Sequence, residues 1–186
     1  MSDEAKAQEL ISIFVCEKDA DIESFIKSRA MQFEKLGKSR TFLIYDEDSE
    51  DFQILAYFTL SIQVLKIPEG MISGNKVKKL DGLSANLRGN RITEFPAILI
   101  GQIGKNETYS DKITGAEVLE YCLAMILEGQ VRLGGRIVLL ECKEIPYLIE
   151  LYEDFGFHVL EKDYEDGDLL QMIKILEEDD IIEPKV

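Results

Sequence analysis

A mixed α/β fold, one sheet with helices packed against it, is predicted by three features of this chain. Strand-like apolar runs alternate with stretches at helical spacing along the 186 residues. The run Phe95–Gly104, FPAILIGQIG, is apolar enough to be a strand buried on both faces. The stretch Arg136–Val159, RIVLLECKEIPYLIELYEDFGFHV, reads as strand, amphipathic helix, glycine stop and second strand.

The elements follow in order. Asp21–Lys35 is expected to form one helix, with Ile22, Phe25, Ile26 and Phe33 on one face and Asp19 or Asp21 capping its start. Gly37 punctuates, and Thr41–Tyr45 is a short strand. The acidic turn DEDSED joins it to a β-rich run, Phe52–Lys66, so the two are expected to pair antiparallel. Gly70–Asn90 is rich in Gly, Ser, Asn and Lys and reads as an irregular insertion, a loop with room for a short helix. After the strand Phe95–Gly104 comes a polar loop, Lys105–Lys112. A helix over Thr114–Leu127 then carries Val118, Leu119, Cys122, Leu123 and Ile126 as its apolar stripe.

Ile137–Cys142 is a strand, and Phe95 to Cys142 is therefore a strand–helix–strand unit of parallel type. The helix over about 144–155 carries Ile145, Leu148, Ile149, Tyr152 and Phe155, with Pro146 in its first turn. Gly156 ends it, a strand opens at Phe157, and Leu169–Ile175 is the last strand. No repeat or low-complexity segment breaks the chain. It reads as one domain, 1–186, with an insertion at about 67–92 and an acidic tail from Glu177 to Glu183.

With 46% hydrophobic and 31% charged residues, the composition is that of an ordinary globular protein. No run is long enough to span a bilayer, and the acidic start MSDEAKAQEL lacks the basic opening of a signal peptide. A cytoplasmic protein without membrane contact is expected. Cys16, Cys122 and Cys142 are odd in number and lack ligand spacing, so buried free thiols are expected. With one histidine, His158, neither a His-based metal site nor a Ser-His-Asp triad is expected, and no metal is.

The net charge of −15 opposes general affinity for nucleic acid. Lys66 to Arg91 is the exception, with six basic residues and two acidic ones. Such asymmetry marks either a solvated loop or a site for an anionic partner.

Two places carry chemistry. Ser110–Ala116, SDKITGA, delivers the chain into a helix N-terminus, where unpaired N–H groups and the dipole make an anion site. Gly115 permits close approach, Thr114 adds a hydroxyl and Lys112 a charge; simple helix capping explains the same residues. Tyr152 is the chain's reactive group on a defined scaffold, although a tyrosine on an apolar stripe ordinarily belongs to the core.

From about Thr41 to Val159 the chain resembles the GNAT family of N-acetyltransferases. ILIGQIGKNETYSDKITGAEVL resembles the family's central strand, pyrophosphate loop and following helix. RIVLLECKE resembles the strand that splays away from the central one. LYEDFGF is similar to the signature of a tyrosine, three residues, then Gly-Phe. ILAYFTLS resembles a strand that often reads Gly-Tyr-hydrophobe-Thr/Ser-Leu, with Ala56 in the glycine's place. PAILIGQIGKN is similar to the branch of bacterial toxins that acetylate the amino acid on charged tRNA. The phosphate loop departs from the family pattern of Gln or Arg, two residues, Gly, one residue, then Gly or Ala. Of Ser110, Asp111, Lys112, Ile113, Thr114 and Gly115, only the last glycine is retained. Asp111 sets a carboxylate near a diphosphate, a repulsion that Lys112 offsets in part.

The resemblance implies a twisted, largely antiparallel mixed sheet with helices on both faces. Its splayed central parallel pair would be Ile98–Lys105 and Ile137–Cys142. It implies acetyl-CoA as cosubstrate and a primary amine as acceptor, whether a small amine, a protein or an aminoacyl-tRNA; the net charge disfavours tRNA. Ile103, Gly104 and Lys105 would offer main-chain bonds to the pantetheine arm, and Ser110, Asp111, Lys112, Ile113, Thr114, Gly115 and Ala116 would surround the diphosphate. Tyr152 would be the general acid that protonates the departing thiolate. Glu94 or Glu141 could relay a proton through water. The alternative is a binding or regulatory protein on the same fold, its phosphate loop eroded. An exposed sheet edge or the acidic tail could support a homodimer.

Overall fold

The computed structural model describes residues 3–49, 52–160, 164, 165, 167–177 and 180. Helices α1 (Asp3–Ser12), α2 (Ala20–Ser28) and α3 (Ala30–Lys35) precede strands β1 (Arg40–Tyr45) and β2 (Ile54–Lys66). Then come α4 (Gly74–Asp81), β3 (Asn86–Leu87), β4 (Asn90–Arg91), β5 (Glu94–Lys105) and α5 (Gly115–Leu133). The chain continues through β6 (Ile137–Cys142), α6 (Pro146–Asp154), β7 (His158–Val159) and β8 (Leu170–Ile175). Six strands form one sheet in the order β1-β2-β5-β6-β8-β7, and β3 with β4 makes a separate ribbon.

The β1–β2, β6–β8 and β7–β8 pairs are antiparallel, as the acidic turn after Tyr45 led one to expect for the first of them. β5 and β6 run parallel, joined through α5, in a register from Ala97↔Ile137 to Ile100↔Leu140. β5 then continues to Lys105 and β6 to Cys142.

The chain divides into two compact units, Met1–Ser61 with Gly101–Leu123 and Ile62–Ile100 with Ala124–Val186. In the first, Phe14, Phe25, Ile26 and Tyr57 centre one apolar cluster, and Leu55, Ala56, Ile113 and Val118 another. The Tyr57 hydroxyl donates to the carbonyl of Ile22 at 2.6 Å, tying α2 to β2. In the second unit, Leu65, Val77, Leu80, Phe95, Ile137 and Leu139 share a core. The three cysteines are buried free thiols, and burial pushes the Cys122 thiol up to about 12.

Three expectations are corrected. The helix expected over Asp21–Lys35 is two, broken at Arg29 (φ −119°, ψ −30°). The break brings Phe25 and Phe33 edge to face with centroids 5.4 Å apart, whereas eight residues of unbroken helix would separate them by about 12 Å. The insertion Gly70–Asn90 holds the short helix for which it had room, α4, and most of the β3–β4 ribbon. Ser73 caps α4, its hydroxyl accepting from the amide of Lys76 at 3.3 Å, and Gly82 closes it at φ +89°. Strand β5 is not buried on both faces: Phe95 and Ala97 are buried, Glu94 and Pro96 exposed. Ile145 precedes α6 and is exposed rather than part of its buried stripe. Of the acidic tail, Glu178, Asp179 and residues 181–183 lie outside the described residues.

Gly104 of β5 faces Ile22 of α2, and a Cβ there would collide with Cγ2 of Ile22. The substitution Gly104→Ala is expected to destabilise the chain by about 1–3 kcal/mol through overpacking, read as a lowered urea midpoint.

Candidate active site

The loop that enters α5 is built from the end of β5, where an apolar strand must release its backbone into a turn. Asn106 does this while buried: its amide donates to the carbonyl of Leu55 at 2.8 Å and its Nδ2 to that of Ile54 at 2.9 Å. Its Oδ1 accepts from the amides of Thr108 at 3.1 Å and Val15 at 3.3 Å. Glu107 continues the attachment, its amide donating to the carbonyl of Val15 and its carboxylate accepting from the amide of Lys18. A single turn of 3-10 helix, Glu107–Tyr109, follows.

Each residue expected around the diphosphate now has a place. Ser110 is exposed, and its carbonyl accepts from Nζ of Lys105 at 3.1 Å. Asp111 is exposed. The Lys112 ammonium donates to Asp46 at 2.6 Å and Gln53 at 2.9 Å, so it is engaged with the β1–β2 hairpin. That bond holds the Asp46 carboxyl below its usual range and raises Lys112. The side chain of Ile113 is buried with Val118, Leu55 and Ile103, leaving the loop only its backbone. Thr114 precedes α5, with Gly115 and Ala116 as its first helical residues, whose amides have no carbonyl partner inside the helix. Ile103, Gly104 and Lys105 form the end of β5.

Sequence reasoning missed two functional neighbours. One is Asn106, whose partners Val15 and Ile54 are remote in the chain. The other is Glu117, and Thr114-x-x-Glu117 is a capping box legible in the sequence. The Glu117 carboxylate accepts from the Thr114 amide and hydroxyl, both at 2.7 Å, and its own amide donates to the Thr114 hydroxyl at 3.2 Å. Thr114, Gly115 and Ala116 therefore stand beside a carboxylate at the helix start.

In the other unit, α6 carries Tyr152, which is 6% exposed. Its ring meets Phe157 edge on with centroids 6.0 Å apart, and its carbonyl accepts from the Phe157 amide at 3.1 Å. Gly156, at φ +81°, makes the turn that folds Phe157 back onto Tyr152. Of the two proton-relay candidates, Glu141 accepts from Nε2 of Gln171 at 2.7 Å, and Glu94 faces Lys66 at 3.4 Å. Both are exposed, as solvated strand carboxylates are.

No protein-family model matches the chain, and no curated protein sequence matches it. Solved structures do. A bacterial toxin superposes with a TM-score of 0.67 at 15% identity, over 88% of this chain and 82% of that one. AtaT complexed with acetyl-methionyl-tRNAfMet gives 0.64 at 15% identity, over 87% and 85%. AtaTR bound with acetyl-CoA gives 0.61 at 13% identity, over 87% and 84%. The fold is the GNAT fold. Its parallel pair is β5–β6, and the helix entered from β5 is α5.

Among the described residues no group of His, Cys, Asp and Glu is placed to hold a metal, and no helix is long and apolar enough to cross a membrane.

Hydrogen bonds from Thr114, side chain first and backbone second, hold the Glu117 carboxyl below the usual glutamate range. Its folded value is depressed, so its contribution to stability is present above the ordinary glutamate pKa and lost as pH falls through the folded value. The Glu117→Gln variant is expected to have a lower urea midpoint than the parent at neutral pH, the difference closing in acid. Asn106→Ala strands buried partners and is expected to cost about 2–3 kcal/mol in the same assay.

Proposed function

We propose that this chain is an acetyl-CoA-dependent N-acetyltransferase that moves an acetyl group directly to a primary amine. We also read residues 1–186 as one GNAT-like domain with 67–92 inserted. The observation that carries the proposal is the LYEDFGF segment, realised on a GNAT fold as a sequestered Tyr152 four residues before a positive-φ glycine. The complex of AtaTR with acetyl-CoA supports the same cosubstrate here.

The donor set fits a CoA thioester in two respects. The amides of Gly115 and Ala116 open the 19-residue helix α5 and suit a diphosphate oxygen. The extended backbone at Ile103, Gly104 and Lys105 suits the amide groups of a pantetheine arm. The Glu117 carboxylate opposes the diphosphate, but it is exposed and free to rotate at the cost of its bonds to Thr114. When bound, the thioester supplies the activated acetyl group. Ile103–Lys105 and Gly115–Ala116 would hold that donor, and Tyr152 would be the acid that gives its phenolic proton to the sulfur as the C–N bond forms and the C–S bond breaks, the amine's proton passing to water. The complex of AtaT with acetyl-methionyl-tRNAfMet supports an aminoacyl ester as acceptor, while the net charge of −15 supports a small amine or a protein N-terminus.

A second reading rests on the capping box. With Glu117 over the helix start and Lys112 engaged by Asp46, α5 is stabilised without any ligand. That favours a binding or regulatory protein on the same fold.

Calorimetric titration with acetyl-CoA separates the two. Binding lost in Gly115→Glu and tightened in Glu117→Gln is the result expected of an acetyltransferase. Tyr152→Phe should then bind the cosubstrate as the parent does while its transfer rate drops by about 100-fold or more. Absence of heat at high acetyl-CoA from parent and Glu117→Gln alike would leave the binding protein.

A further inference from the structure

A third of the way along the chain the charge balance inverts, and there α4 and the start of β6 enclose a shallow depression of about 360 Å³ lined by Asn75, Lys78, Lys79, Gly82 and Arg136. We propose that this depression is a binding site for a compact, phosphate-bearing small molecule, separate from the α5 helix start.

The cations are held in place by the core beneath them. Val77 and Leu80 bury one face of α4 and so turn Lys78 and Lys79 outward together. Arg136 comes from another element. It is the residue before β6, pinned by the Leu176 amide, which donates to its carbonyl at 2.7 Å. Its side chain lies over Gly82, with Nε 2.7 Å and Cζ 2.8 Å from where a Cβ would be. Only a residue without a side chain, in the left-handed conformation at φ +89°, leaves the guanidinium this resting place.

The pairing pattern points the same way. In a chain with 36 acidic and 21 basic residues, cations ordinarily find carboxylates, as Lys27, Arg40, Lys112, Arg132 and Lys174 do. Lys78 and Arg136 have no carboxylate partner among the described residues. Among the described residues Lys79 faces Glu177, at 3.5 Å between largely exposed side chains, a weak contact that an anion can displace. A helix C-terminus accounts for Lys78 and Lys79 alone, but not for a guanidinium brought there by a strand.

Three cations and the Asn75 amide converging on so small a space suit a phosphate or diphosphate, whose oxygens accept from both ammonium and guanidinium groups. The net charge of −15 disfavours a long polyanion at this small depression.

The test is calorimetry of the full chain with inorganic pyrophosphate at low ionic strength. The parent is expected to bind, and Lys78→Gln and Arg136→Gln each to weaken binding by about tenfold. Glu177→Gln should strengthen it by freeing Lys79. In the Gly115→Glu background, which closes the α5 helix start, the pyrophosphate binding that remains should still weaken with Lys78→Gln and Arg136→Gln, so loss of acetyl-CoA binding and loss of this site are read apart. Circular dichroism melts of the exposed-site variants Lys78→Gln and Glu177→Gln establish that they are folded. Pyrophosphate affinity unchanged in both Lys78→Gln and Arg136→Gln would mean an adventitious ion only. No binding by the parent, or displacement by single-stranded RNA at lower concentration than by pyrophosphate, would equally overturn the assignment.

Discussion

The buried side chain of Asn106 is the constraint on which the loop and helix after β5 depend. A strand that ends in the interior leaves amides and carbonyls that must be paired, since each unmade bond there costs about 1–3 kcal/mol. Asn106 pairs four of them, belonging to Val15, Ile54, Thr108 and, through its own amide, Leu55. It thereby fixes three separate segments to one another: the end of β5, the start of β2 and the chain after α1. Lys112 then reaches Asp46 and Gln53 because the loop is held next to the hairpin, and Thr114 opens α5 from a settled position.

At that helix start, stability and anion binding draw on the same groups. A capping threonine contributes about 1 kcal/mol, and a carboxylate near the positive end of the dipole adds to it. Glu117 and Thr114 supply both, so the unliganded helix has little need of a phosphate. A ligand at Gly115 and Ala116 must exceed that local gain before it binds at all. A family loop opening with glutamine or arginine has the opposite bias, adding donors where this chain adds an acceptor. The loop thus makes a helix that is well formed without a ligand.

The sequence made the sheet legible because its strands are apolar and bounded by punctuation; Arg40–Tyr45, Ile137–Cys142 and Leu170–Ile175 fall within a residue of where their composition puts them. The break at Arg29 was not legible, because Phe25 and Phe33 suit one long stripe as well as two short helices. A short helix was allowed between Gly70 and Asn90, but the bounds of α4 were masked by its lysines, with Val77 and Leu80 as its buried anchors. In the candidate site, Gly115 and the Tyr152–Gly156 spacing stood in the text of the chain, and so did Thr114 and Glu117. The partner of Lys112 did not, since Asp46 lies 66 residues away and only the fold brings them together. Neither did the role of Gly104, whose missing side chain makes room for Ile22.

Two tyrosines show why burial alone does not separate structure from chemistry. Tyr57 and Tyr152 are both almost wholly enclosed. Tyr57 spends its hydroxyl on the carbonyl of Ile22, and desolvation raises its pKa far above the ordinary range, so it stays a protonated brace between α2 and β2. Its neighbours are core side chains, and its backbone lies mid-strand. Tyr152 occupies the last turn of a nine-residue helix, immediately before the chain reverses at Gly156 and lays Phe157 against its ring. The positive φ of Gly156 permits that reversal. What the tight turn adds is a defined ring orientation, and orientation matters to a proton donor far more than to a filler of volume. The turn at Gly156 therefore fixes the Tyr152 ring in the way the proposed proton donor requires, whereas Tyr57 is fixed by its bond to Ile22.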